Sequence, residues 1–75
     1  MWSDVQQRIE RFNRSHQHGD RLLVWPERTK GVPGVMSAIC GDAHVGLDEE
    51  PVVPVKIQAG PRRGEKVLIP LTQVA

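Results

Sequence analysis

A change of period near residue 20 constrains this chain more than any other feature. Up to Ser15 the apolar residues Val5, Ile9 and Phe12 recur at i, i+4 and i+7, the stripe of an amphipathic helix. From Arg21 onward Gly, Pro and acidic clusters cut the sequence into short apolar, β-branched runs, the pattern of a small antiparallel sheet. At 75 residues there is room for a single domain, 1–75, in which a helix at about 3–15 precedes a β-rich part at about 20–75. A chain this short buries only about 60% of the surface exposed on unfolding, so its core is small and a large enzyme cleft within one chain is not expected.

Ser3 stands three residues before Gln6, the spacing of a capping box, and Trp2 takes the staple position ahead of it. Asp4/Arg8 and Glu10/Arg14 fall at i,i+4, where opposite charges pair on a helix surface. A helix of about a dozen residues is marginal alone in water, so its apolar stripe must pack on the sheet. The segment Ser15-His16-Gln17-His18-Gly19-Asp20 turns the chain. Strands are predicted at 21–25, stopped by Pro26, at 35–40, at 52–59 and at 66–69. Pro54 has no N–H for a ladder, which predicts a strand that begins late or lies at an edge there. Gly60-Pro61-Arg62-Arg63-Gly64 reads as a hairpin loop, and Pro70 to Val74 as one turn that returns the chain to the sheet. The expected fold is α+β, mainly β, with the N-terminal helix packed on a small SH3-like antiparallel barrel of four to five strands. Trp2, Phe12 and Trp25 are the only aromatics, so most of the core must come from Val, Leu and Ile, with Trp25 assigned to it.

A formal net charge of +1 argues against a strongly basic nucleic-acid binder and against an acidic disordered tail. One cysteine, Cys40, makes no intramolecular disulfide, which suggests a reducing, cytoplasmic setting. The first seven residues lack the basic and apolar regions of a secretory signal, and no apolar run approaches membrane-spanning length, so neither secretion nor a membrane partner is expected.

His16, His18, Cys40 and His44 are ligand types for Zn(II), but their spacing lacks the two tight pairs of a structural site, and no metal or other cofactor is expected. Cys40 ends an apolar run and is read as a small core residue rather than a nucleophile activated by His44. Asp42, Asp48, Glu49 and Glu50 share one stretch with no Lys or Arg and without calcium-loop spacing: a solvated loop, or an anionic knob for a basic partner. Cations gather elsewhere, at Arg8, Arg11 and Arg14 on the helix, at Arg28 and Lys30, and at Arg62, Arg63 and Lys66 in the last hairpin. The helix arginines step round the axis by about 60° each and so share a face. The phosphate-cradling, dinucleotide, nucleophile-elbow and zincin motifs are all absent, so no catalytic residues are assigned and the chain is read as a non-enzyme.

The pattern Phe12-Asn13, His16, Gly19-Asp20 and Val24-Trp25-Pro26 resembles a diffuse group of short proteins encoded by phages and other bacterial mobile elements. The likeness covers the first third of the chain and, more loosely, Pro51-Val52-Val53 and the segment from Val67 to Val74. It implies an SH3-like barrel with an N-terminal helix, without implying one activity. The short plasmid-borne type II dihydrofolate reductases are similar in architecture, but Val67-Leu68-Ile69-Pro70 lacks the glutamine and tyrosine of their catalytic strand, so that activity is not implied. What the resemblance implies is a protein-binding module that occupies a host partner's surface, as an inhibitor of a defence complex such as a CRISPR effector does. The expected contacts are Arg8, Arg11 and Arg14 or Asp48, Glu49 and Glu50. The alternative is a small nucleic-acid-binding accessory domain using Arg62, Arg63 and Lys66. Association into oligomers remains open, including one that builds a pocket between subunits.

Overall fold

The computed structural model describes residues 2–25 and 34–74, with side chains from residue 4 onward. Helix α1 runs Trp2–Ser15 and is followed by strands β1 (Arg21–Val24), β2 (Val35–Ile39), β3 (His44–Val45), β4 (Pro51–Ile57) and β5 (Lys66–Pro70) and a 3-10 turn, η1 (Leu71–Gln73). The molecule is α+β and mostly strand, as the change of period predicts, with all five strands in one antiparallel sheet. The helix begins before Ser3, which therefore lies inside it rather than at its cap.

Strand β4 is the spine of the sheet. It pairs with β5 from Val52 to Lys56 on one side and, on the other, with β3 at Pro51 and Val52 and with β2 from Val55 to Ile57. The sheet is not closed: among the described residues a single isolated bridge, Val24 to Val74, brings the segment after η1 to β1, supported by the Trp25 N–H donating to the Gln73 carbonyl at 2.9 Å. That bridge realises the expected return after Pro70.

Pro54 corrects the sequence reading, since it sits inside the central strand rather than at an edge or a late start. The physical reason lies in its neighbour. Ile39 pairs with Val55 and His44 with Val52, so residues 40–43 lie opposite only Val53 and Pro54, a two-residue bulge. The Pro54 carbonyl accepts from the Cys40 N–H at 3.0 Å, so its nitrogen points to that same side, into the bulge where the ladder is already broken. Gly41 is required there, because a Cβ at this residue would stand 2.6 Å from Pro54 Cγ.

The helix closes the bulge. Asn13 accepts from the Ala43 N–H at 2.8 Å and donates to the Ala43 carbonyl at 3.2 Å, acting in place of a ladder partner for a buried residue. Ile9 and Phe12 pack against the core of Leu22, Val24, Ile39, Ala43, Val53, Val55 and Ile69, together with Val67, Leu71 and Val74. Val5 is half-buried and lies outside this cluster. Two further expectations fail. Cys40 is exposed, because its N–H bond to Pro54 continues the β2–β4 register and the alternation that buries Ser37 and Ile39 turns the Cys40 side chain to the outer face. Trp25 is half-buried outside the core cluster, on the face it shares with exposed Leu23, and its ring stands 3.0 Å from where a Cβ of Gly34 would be.

Candidate functional site

The β3–β4 hairpin builds the most distinctive surface. The Gly46 N–H donates to the Glu50 carbonyl at 2.8 Å and the Glu49 N–H to the Gly46 carbonyl at 3.2 Å, leaving Leu47, Asp48 and Glu49 as a three-residue loop. Such loops end with a residue in the left-handed region, normally glycine. Here Glu49 takes it, with φ +58°, the only non-glycine residue with positive φ among those described. Leu47 stands at the tip with a relative exposure of 106%. Beneath it lies a hollow of about 310 Å³ lined by Leu47, Asp48, Glu50, Val52, Leu68 and Pro70 among others, so two acids and two exposed leucines share one recess.

The helix carries the opposite charge. Arg8, Arg11 and Arg14 are all exposed, and no ion pair joins Asp4 to Arg8 or Glu10 to Arg14 among the described residues, because at this exposure solvation competes with the pairing. Arg8 and Arg11 border a second hollow, of about 350 Å³, with Phe12, Ser15, His16 and Leu71, whereas Arg14 is not part of it. His16 stacks on Phe12 with ring centroids 4.1 Å apart, and its Nδ1 lies 3.0 Å from the Phe12 carbonyl. The turn η1 separates the two recesses, since Leu71 lines the basic one and Gln73 the acidic one.

The third set is divided. Arg62 Nε donates to Glu65 at 3.0 Å, which neutralises one of the three cations, while Arg63 and Lys66 stay exposed. Gly64, at φ +93°, donates to the Ile57 carbonyl while the Ile57 N–H donates to Glu65, a glycine bulge that separates Arg63 from Lys66. Arg28 and Lys30 lie outside the described residues.

The histidines are individually engaged. His18 Nε2 lies 2.8 Å from Asp42 Oδ1, both well exposed, and His44 Nδ1 lies 3.1 Å from the Asp42 carbonyl. Among the described residues no group of three or more His, Cys, Asp or Glu side chains is placed to hold a metal ion. What the sequence reading missed is the leucine component. Leu47 and Leu68 are far apart in sequence, and only the β4–β5 register together with the hairpin places both over one hollow. No helix is long and apolar enough to cross a membrane among the described residues. No family model, curated protein or solved structure matches this chain.

Proposed function

We propose that this chain is a non-enzymatic protein-binding module of a phage or other bacterial mobile element, acting in the cytoplasm by occupying a host partner's surface, as an anti-CRISPR-like inhibitor does. One observation carries the reading: Leu47 stands fully exposed among Asp48, Glu49 and Glu50, over a hollow that Leu68 also lines. An apolar side chain held out on an acidic, tightly turned hairpin gains nothing for the fold and offers both area and charge to a basic partner. We also read the sheet as SH3-like, on the strength of η1 between β5 and the Val24–Val74 bridge.

The test is a tagged pull-down from host bacterial lysate, with and without nuclease, followed by measurement of affinity for the recovered protein. A stoichiometric, nuclease-resistant partner is expected, lost when Asp48, Glu49 and Glu50 become Ala while the circular dichroism spectrum is kept. Loss in the Arg8, Arg11 and Arg14 to Ala variant instead moves the contact to the helix, and retention in both variants refutes the assignment of surface. Recovery of nucleic acid alone, with a steep salt dependence abolished by replacing Arg62, Arg63 and Lys66, would replace this reading with the nucleic-acid one.

A further inference from the structure

We propose that β5 is a docking edge for a second copy of this chain, adding antiparallel, β5 against β5, to continue the sheet across a two-fold axis at Leu68. Among the described residues β5 pairs with β4 alone. The Ile57 N–H donates to Glu65 at 2.9 Å, and in the register that follows, the backbone groups of Val67 and Ile69 face β4 while those of Lys66, Leu68 and Pro70 face away. Pro54, opposite Leu68, gives an independent check. It has no N–H, and its carbonyl is taken by Cys40 on the far side, so it offers the Leu68 backbone nothing. Among the described residues nothing pairs with the outward backbone groups of Lys66 and Leu68, and Leu68 is 56% exposed.

The edge is self-complementary. Centred on Leu68, the pairing of greatest overlap sets Leu68 against the second copy's Leu68 and Lys66 against the second copy's Pro70. The two leucines exchange both backbone bonds, and each Lys66 N–H meets the facing Pro70 carbonyl at the lone pair that the first bond of η1 leaves open. Pro70 lines the same hollow as Asp48, so each Lys66 ammonium arrives on the side of the other copy's Asp48, and the charges match twice by symmetry. Leu47 and Leu68, which line that hollow, lie next to the seam. A domain with so small a core is one that association helps. This goes beyond the partner-binding reading and does not depend on it.

The experiment is sedimentation equilibrium of the full chain at rising concentration and salt, with amide NMR of the same samples. A reversible dimer is expected that weakens with salt, with concentration-dependent shifts and slowed exchange at the Lys66 and Leu68 amides but not at those of Val67 and Ile69, which already face β4. Lys66→Glu should weaken the dimer by about tenfold, since two symmetric pairs are lost at once, and adding Asp48→Lys should restore it. Leu68→Pro should remove the dimer and leave the fold intact, because among the described residues that N–H serves no bond; should this variant unfold, Lys66→Glu decides alone. A chain that stays monomeric at ~1 mM overturns the proposal, as does a dimer indifferent to the Lys66 and Leu68 variants.

Discussion

Replacing Asn13 by Ala removes the clamp that ties α1 to the bulge between β2 and β3. The side-chain amide makes two hydrogen bonds to Ala43, at 2.8 and 3.2 Å, and Ala43 is only 4% exposed. Two net hydrogen bonds are worth about 1 kcal/mol each, and a buried N–H and C=O left without partners add desolvation penalties, so the expected loss is about 2–4 kcal/mol. A 75-residue domain has a total stability of about 4–11 kcal/mol, so the variant should lose a large share of it. Urea unfolding followed by tryptophan fluorescence measures this as a lower midpoint at unchanged slope. Asn13→Asp sharpens the test: the carboxylate still accepts from the Ala43 N–H but faces the Ala43 carbonyl with no donor, so it should recover little of the loss. A loss below about 0.5 kcal/mol for Asn13→Ala would refute the argument that the clamp substitutes for ladder bonds, because a solvated bulge would then serve as well.

Gly41→Ala places a Cβ 2.6 Å from Pro54 Cγ and should cost about 1–3 kcal/mol by thermal unfolding, whereas Gly60→Ala meets no atom within 4 Å and feels only its φ of +83°. Glu49→Gly relieves a side chain held at φ +58° and should raise stability by up to about 1 kcal/mol in urea; a loss would show that the carboxylate stabilises the hairpin. Ile69→Ala empties a site only 2% exposed and should cost about 2–5 kcal/mol, while Leu68→Ala next to it, 56% exposed, should change monomer stability much less.

The helix was the most legible element, because Ile9 and Phe12 reach the core as their spacing predicts and the same half-buried face runs from Val5, outside the core cluster, through Asn13 to His16. The strands were legible almost to the residue where Gly, Pro or an acidic cluster bounds them, as at Arg21–Val24, Val35–Ile39 and Lys66–Pro70. Pro54 was misread because the rule against proline in central strands assumes an unbroken neighbour, and the bulge at residues 40–43 removes that assumption. Cys40 and Trp25 were misread because a place at the end of an apolar run does not make a residue face inward: burial alternates along β1 (Leu22, Val24) and β2 (Ser37, Ile39), and that period puts Trp25 and Cys40 on the outer face. His44–Val45 was too short to show a period at all.

The candidate surfaces divide in the same way. The charges of Asp48, Glu49 and Glu50 and of Arg8, Arg11 and Arg14 are composition and spacing, and a sequence displays both. That Leu47 and Leu68 join the acids around one hollow, that η1 stands between the acidic and basic recesses, and that the backbone of Lys66 and Leu68 faces outward are consequences of register. The sequence determined which segments are helix and strand and where charge resides, because those follow from local sterics and periodicity. Only the tertiary structure decided which strand is central, what closes the bulge and which edge is left unpaired, because pairing between distant segments is settled by how the whole sheet satisfies its backbone hydrogen bonds at once.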